Sequence, residues 1–262
     1  SSLKEIIGLL KNKERLKFLN NDIAARFNNN LSYAPKILSF GSDWLVEEFI
    51  NGIPFNRVNN DSNKALEILI SSHTKELIEK NKKNISIEKY LDQTKKELYH
   101  LIKILDNINS NKKEIISGLE YLISEISSLN ISKIEISTTH GDFQEGNVRI
   151  NSKNELFLLD WESSDSRFYL YDIFVMFSGI RTGIQIDKAF KFFFHKADEH
   201  KIKINDYSKS SLIKLLCFEE LRFHFNEDIS ENFFYPGTNL KHKVNKIINF
   251  LEYFKLNEKE YE

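Results

Sequence analysis

Residues 139–147 read Thr-His-Gly-Asp-Phe-Gln-Glu-Gly-Asn, and residues 158–162 read Leu-Leu-Asp-Trp-Glu. Two short apolar runs, separated by the turn residues Asn-Ser-Lys-Asn, join these stretches, and this pattern predicts a β-hairpin. Since a hairpin folds its two ends together, Asn147 and Asp160 are expected to approach one centre.

The residue types at this centre suit a hard cation and a proton transfer. Magnesium prefers oxygen ligands and keeps several waters, so the carboxylate of Asp160 and the amide oxygen of Asn147 suffice to hold it. The nearby carboxylate of Asp142 could orient an incoming hydroxyl and accept its proton. Phosphoryl transfer depends mainly on positioning and charge neutralisation, and these residues supply both.

The two stretches resemble the aminoglycoside phosphotransferase and choline kinase family of protein-kinase-like small-molecule kinases. In that family the catalytic loop reads His-Gly-Asp, four residues, then Asn, and a later Ile/Leu-Asp-Trp/Phe-Glu carries the metal ligand. The resemblance implies that Asp142 is the catalytic base, that Asn147 binds Mg²⁺, and that Asp160 bridges the metal to the phosphates. It also implies ATP or GTP as the donor and a small-molecule hydroxyl as the acceptor, of the aminoglycoside, choline-like or sugar type.

The fold implied by this resemblance is α+β and two-lobed, as in protein kinases. A small N-terminal lobe with its hinge would cover residues 1–52, and a larger, mainly helical C-terminal lobe with the catalytic loop and metal site would cover residues 53–262. A kinase lobe begins with a glycine-rich loop between two strands. Only thirteen residues precede Glu14, with Gly8 as their one glycine, so the N-terminal lobe is expected to be reduced or incomplete.

Weaker similarities concern the nucleotide. Glu48, Phe49 and Ile50 resemble the hinge strand, whose backbone groups would hold the nucleobase. Glu14 resembles the glutamate that pairs with a phosphate-binding lysine, although it is equally compatible with a first-turn helix residue. Lys4 is the best-placed candidate for that lysine, and Lys11 and Lys13 are the alternatives.

Supporting roles are expected for several neighbours. His140 could bind metal or act as a base, but bracing of the catalytic loop by hydrogen bonds is the favoured interpretation. Asp172 is expected to anchor the loop through backbone N–H groups, and His73 to be a buried, hydrogen-bonded histidine. For Glu162, contact with metal or substrate and a supporting or surface role are equally open.

The acceptor side is less informative. Glu219 and Glu220 belong to an acidic cluster near Arg222 and His224 that would suit a cationic acceptor. A solvated helix face is the favoured alternative.

Periodicity outlines the rest of the chain. Helical spacing covers residues 14–27, 63–80, 87–108, 113–129 and most of 171–254, with an irregular aromatic segment at 233–237. Apolar runs at 37–40 and 44–50 predict a hairpin, and the Gly-Ile-Pro at 52–54 is interpreted as part of a linker.

Composition excludes several classes of protein. The 37 Lys+Arg and 38 Asp+Glu leave a formal charge of -1, which argues against a nucleic-acid binder. Cys217 is the one cysteine, so no intrachain disulfide can form and a reducing cytoplasm fits best. No run approaches the roughly 18 apolar residues that a membrane span requires.

Two other functions remain open. A pseudokinase-type binding module without turnover is favoured by the reduced N-terminal lobe and opposed by the joint presence of Asp142, Asn147 and Asp160. A metal-dependent hydrolase could use the same oxygen ligands, but it has no need of a hinge-like strand.

Overall fold

The computed structural model describes residues 16–17, 19–57, 63–105, 112–204, 207–231 and 238–257. Contacts divide the chain into two compact units. Unit 1 comprises residues 1–83 and 136–176, and unit 2 comprises residues 84–135 and 177–262. Each of these units is made of two separate stretches of the chain, whereas the predicted lobes 1–52 and 53–262 are continuous. The boundary between the lobes stays a prediction.

The described part of the chain consists of short strands and longer helices. The helices are α1 (residues 19–27), α2 (Asn63–His73), α3 (Ile87–Leu105), α4 (Lys112–Ser127), α5 (Tyr171–Ser178), α6 (Ile186–Glu199), α7 (Lys209–Glu231) and α8 (Thr238–Leu256). The strands are β1 (Ile37–Phe40), β2 (Leu45–Glu47), β3 (Gly52–Pro54), β4 (Lys83–Ser86), β5 (Lys133–Thr139), β6 (Val148–Asn151), β7 (Leu156–Leu158) and β8 (Asp165–Phe168). A π-helical turn, Thr74–Glu79, continues α2.

Two predicted hairpins are present in unit 1. Strands β1 and β2 pair antiparallel with Phe40 opposite Leu45, and the N–H of Gly41 closes the turn on the carbonyl of Trp44 at 3.0 Å. Strands β6 and β7 pair antiparallel with Val148 opposite Leu158. The second hairpin is the one on which the sequence-based site depends.

The linker interpretation of residues 52–54 is wrong, because these residues form β3. Strand β3 pairs antiparallel with β6, with Ile53 opposite Ile150. A Cβ at Gly52 would lie 2.6 Å from the carbonyl oxygen of Ile150, so the glycine permits the close approach of two backbones. Pro54, which has no N–H to donate, stands at the end of the strand.

Strand β8 was not predicted, since its sequence Asp-Ser-Arg-Phe has no apolar alternation. It forms because β5 offers it a partner, with Ile136 opposite Phe168 and Thr139 opposite Asp165. Strand propensity is weak next to such tertiary pairing. The hydroxyl of Ser137 in β5 also donates to the carbonyl of Ile78 at 2.7 Å, which fixes the strand that leads into residues 139–147.

Unit 2 is helical. Helix α7 packs against α3, α4 and α8, and its residues Leu212, Leu216 and Cys217 are fully buried. A cysteine enclosed in this way is a core residue, as the sequence predicts for Cys217. In the part of the chain that the structure describes, every helix is too short or too polar to cross a membrane.

Candidate active site

The catalytic loop begins where β5 ends, and Asp172 at the start of α5 holds its backbone. One carboxylate oxygen of Asp172 accepts the N–H of His140 at 2.6 Å, and the other accepts the N–H of Gly141 at 2.8 Å. Asp172 is fully buried. Buried carboxylates need such partners, and these bonds set the direction in which the loop leaves the strand.

His73 completes the set of donors around Asp172. Its Nε2 lies 2.8 Å from Oδ2 of Asp172, and its Nδ1 lies 3.0 Å from the hydroxyl of Tyr33. Burial acts to raise the pKa of Asp172, but the hydrogen bond from His73 and the N–H of Gly141 hold it below its ordinary value. The carboxylate therefore stays ionised and keeps its role as acceptor.

His140 braces the loop from within. Burial lowers its pKa to about 4, so the ring is neutral at physiological pH. Its Nε2 lies 2.9 Å from the carbonyl of Leu159, which can only accept, so Nε2 carries the proton. Its Nδ1 accepts the N–H of Asp142 at 3.2 Å. One imidazole thus ties Asp142 to the residue before Asp160.

The side chain of Asp142 is oriented by two carboxamides. The amide nitrogen of Asn147 lies 2.9 Å from Oδ2 of Asp142 and also 2.9 Å from the Asp142 carbonyl. The amide nitrogen of Gln144 lies 2.7 Å from the same Oδ2. Gln144 was not predicted as a site residue, although its position between Asp142 and Asn147 could have suggested it.

The β6–β7 hairpin brings Asn147 and Asp160 together. The N–H of Leu159 donates to the carbonyl of Asn147 at 2.8 Å, which extends the ladder by one step beyond the pair Val148 and Leu158. Asp160 follows directly. Within the described part of the chain, neither Oδ1 of Asn147 nor the carboxylate of Asp160 accepts a hydrogen bond, so all three oxygens are available to a ligand.

Asp160 is placed in a concentration of negative charge. Its backbone is left-handed, with φ 64° and ψ 61°, an arrangement uncommon outside glycine and found at functional turns. Its side chain is exposed, but desolvation by the surrounding protein raises its pKa to about 6, and nearby carboxylates, Glu162 and Asp142 first, add to the rise. A cation at this place would relieve the repulsion.

The donor set fits magnesium better than a transition metal. It consists of carboxylate and amide oxygens only, which hard cations prefer. Among the described residues, no three His, Cys, Asp or Glu side chains form a preassembled metal cluster. A magnesium ion that keeps several waters needs no such cluster. Glu162 is exposed next to Asp160, so its contribution to a ligand stays a prediction.

An ion-paired group beside this site was missed by the sequence analysis. Arg26 donates to both oxygens of Asp22, at 2.5 and 2.8 Å, and to Oε2 of Glu47 at 2.5 Å. Asp22 and Arg26 are buried, and the charges of Asp22 and Glu47 reach Asp160. The i, i+4 spacing of Asp22 and Arg26 on a helix could have predicted their ion pair. No sequence pattern could have predicted the pairing of Arg26 with Glu47.

The predicted hinge is an irregular segment between β2 and β3. The N–H of Glu48 donates to the carbonyl of Lys36 at 2.9 Å, and the side chain of Phe49 is 88% exposed. The backbone groups of Phe49 and Ile50 make no hydrogen bond within the described residues, which leaves them free for a nucleobase. Lys4 and Glu14, the other predicted nucleotide contacts, lie outside the described residues.

Glu219 and Glu220 are enclosed in unit 2, so the solvated helix face favoured for them is wrong. Glu219 accepts the hydroxyl of Tyr90 at 2.6 Å and a bond from Arg222 at 3.0 Å. Glu220 pairs with Arg181 and with His224. Although burial opposes it, the charges of Arg181 and His224 hold the pKa of Glu220 well below its ordinary value. Both carboxylates are neutralised by the protein, so binding of a cationic acceptor by them stays a prediction without local support.

Substitution of Gly141 by alanine is expected to lower the free energy of unfolding by at least about 2–3 kcal/mol. Gly141 has φ +88°, and an added Cβ would lie 2.2 Å from the carbonyl oxygen of Ser163. The matched control is Gly183→Ala, because Gly183 has φ +84° with nothing within 4 Å of the added Cβ. Denaturant unfolding of both variants separates the clash from the backbone strain, and equal losses would contradict the clash.

The chain was compared with protein families, with curated proteins and with solved structures. No family model matches the chain, and no curated protein matches its sequence. Among solved structures, a choline kinase (LicA) from Streptococcus pneumoniae aligns with TM-score 0.53 and 12% identity over 89% of this chain and 81% of that chain. An ethanolamine kinase from Plasmodium vivax aligns with TM-score 0.50 and 17% identity over 92% of this chain and 71% of that chain.

These similarities define the fold class of the chain. It has the protein-kinase-like α+β fold of which these two small-molecule kinases are examples, and this confirms the predicted fold class. At such low identity the likeness shows the fold alone, and fold does not fix function. The function depends on the residues of the site.

Proposed function

We propose that the chain is a small-molecule kinase, which transfers the γ-phosphoryl group of ATP or GTP to a hydroxyl group. The observation that carries this proposal is the convergence of Asp142, Asn147 and Asp160. Asn147 holds the carboxylate of Asp142 at 2.9 Å, and the β6–β7 ladder places Asp160 beside Asn147. Phosphoryl transfer requires an oriented carboxylate next to oxygen ligands for the metal, and Oδ1 of Asn147 and the carboxylate oxygens of Asp160 accept no hydrogen bond from the residues that the structure describes.

Asp142 would act as the base for the acceptor hydroxyl. Two amides fix its Oδ2, at 2.7 and 2.9 Å, so the carboxylate needs no reorientation when the hydroxyl arrives. Such preorganisation is the main contribution that a protein can make to this reaction. The hydroxyl would donate to Asp142, and its oxygen would then attack the γ-phosphorus in line with the leaving group.

Asp160 and Oδ1 of Asn147 would hold Mg²⁺, in keeping with their oxygen-only donor set and the elevated pKa of Asp160. When bound, the metal would neutralise the charge of the triphosphate. His140 keeps this arrangement in register with Asp142, since its ring bonds both to the carbonyl of Leu159 and to the N–H of Asp142.

The substrates follow from the remaining features. The backbone groups of Phe49 and Ile50, which make no hydrogen bond within the described residues, would hold the nucleobase, with Glu48 before them. The two structural neighbours are described as choline and ethanolamine kinases, so amino alcohols are the first acceptors to examine, followed by aminoglycosides and sugars. We place the reaction in the cytoplasm, where a chain with one buried cysteine needs no disulfide.

The test combines calorimetry with phosphorus NMR. ATP and GTP are titrated into the chain with and without Mg²⁺, and each is then incubated with choline, ethanolamine or an aminoglycoside. We expect magnesium-dependent binding of at least one nucleotide and a new phosphomonoester signal with one acceptor. Binding without any turnover would favour the pseudokinase alternative, and loss of phosphate from a phosphoester without a triphosphate would favour the hydrolase.

A further inference from the structure

Tyr33 lies in the connection between α1 and β1, outside every motif of the proposed site, and it is buried in unit 1. Its carbonyl accepts the N–H of Leu158 at 2.8 Å, and its hydroxyl lies 3.0 Å from Nδ1 of His73. One residue therefore contacts both the strand that leads to Asp160 and the histidine that reaches Asp172.

The hydrogen bonds around His73 give this contact a direction. Asp172 is ionised, so Nε2 of His73, at 2.8 Å from its Oδ2, carries a proton. Burial and the negative charges of Asp172 and Glu76 raise the pKa of Tyr33 well above its ordinary value, so its hydroxyl keeps its proton. When the His73 ring carries its single proton on Nε2, the hydroxyl donates to Nδ1, and this bond selects the tautomer and ring orientation that Asp172 needs.

Ring contacts also connect Tyr33 and His73 to the residues that follow Asp160 and Asp142. The ring of Tyr33 lies 6.2 Å from that of Trp161, and the ring of His73 lies 4.3 Å from that of Phe143. Trp161 follows Asp160, and Phe143 follows Asp142. A tilt of the His73 ring would therefore disturb the residues next to both carboxylates.

We propose that Tyr33 is a positioning residue for the phosphoryl-transfer site, acting through His73 and Asp172 on the backbone of His140 and Gly141. Its effect on turnover rests on the proposed function, but its effect on the loop does not. Because its bond to Leu158 uses the backbone carbonyl, removal of the hydroxyl affects only the connection through His73.

The test is Tyr33→Phe, which keeps the ring and its packing. Imidazole ¹⁵N NMR should show the Nδ1 signal of His73 move toward that of a free pyridine-type nitrogen, and the amide signals of His140 and Gly141 should shift with it. With a reactive acceptor, kcat should fall roughly tenfold while the nucleotide Kd stays unchanged. The control is Tyr207→Phe, which removes a bond at 3.0 Å to the N–H of Glu135 in unit 2 and should change none of these.

A double-mutant cycle tests whether Tyr33 acts through His73. Adding Tyr33→Phe to His73→Gln should leave kcat and the two amide signals as they are in His73→Gln alone, since coupled residues are not additive. Additive effects, an imidazolium signal for His73 in the parent protein, or unmoved His140 and Gly141 amides would each overturn the proposal. If the parent protein shows no turnover, the proposed function fails, and the NMR signals still decide the role of Tyr33.

Discussion

Replacement of Asp142 by asparagine is expected to lower kcat about 10²- to 10⁴-fold, the usual contribution of a general base. The new carboxamide oxygen can still accept from Gln144 and Asn147, which lie 2.7 and 2.9 Å from Oδ2 of Asp142. The loop should therefore keep its shape and lose only its basicity. The measurement is the steady-state rate with the acceptor that proves reactive, together with the calorimetric Kd of the nucleotide.

The control for this experiment is Asp92→Asn. Asp92 lies on α3 and pairs with Lys96 in an exposed i, i+4 bridge, which contributes little to stability. We expect its rate to match that of the parent protein. An Asp142→Asn variant that turned over at near-parent rate would show that Asp142 is not the base, and one that also lost nucleotide binding would indicate a disrupted loop.

The part of the site that could be predicted is the part encoded by neighbouring residues. Residues 139–162 contain a loop, a turn and two short strands, and the turn chemistry fixes which ends meet. Asn147 and Asp160 are separated by 13 positions in the sequence, yet the ladder between Val148 and Leu158 makes them adjacent. Local sequence therefore determines this geometry almost alone.

The supports of the site depend on contacts that a single sequence does not encode. His73 and Asp172 are 99 positions apart, and Tyr33 and His73 are 40 apart. The sequence predicts that Asp172 anchors the loop and that His73 is buried and hydrogen-bonded, but it does not pair these residues with each other or with Tyr33. Their joint role becomes visible only when tertiary folding brings them into one hydrogen-bonded chain.

Strands β3 and β8 were missed for a related physical reason. Each has three or four residues and little apolar alternation, so the strand propensity of neither is strong enough to predict it from the sequence. Each exists because β6 or β5 presents unpaired backbone groups that must be satisfied. The same limit applies to charge at Glu219 and Glu220. An acidic cluster in a sequence does not show that basic residues neutralise it in the folded protein, as Arg181, Arg222 and His224 do here.

Replacement of Asp160 by asparagine is expected to weaken magnesium-dependent nucleotide binding by roughly a hundredfold or more, since removing a metal ligand removes several kcal/mol of charge stabilisation. Without Mg²⁺, the effect of Asp160→Asn on nucleotide binding should have the opposite sign. The carboxylate then only repels the phosphates, and its loss from a cluster that includes Asp142, Glu162, Asp22 and Glu47 should leave nucleotide binding equal or tighter. Calorimetry with and without the metal measures both arms.

The matched control is Glu162→Gln, which removes the carboxylate that contributes most, among the neighbouring charges, to the raised pKa of Asp160. It lowers the negative charge by the same amount two positions away, so general electrostatics predicts the same effect for both variants. Ligation predicts a difference: if Asp160 binds the ion and Glu162 only adds to the surrounding charge, Glu162→Gln should change the magnesium-dependent Kd only a few-fold. Equal losses of magnesium-dependent nucleotide affinity in the two variants would mean that the acidic cluster attracts magnesium through its total negative charge. Asp160 would then not be a specific metal ligand.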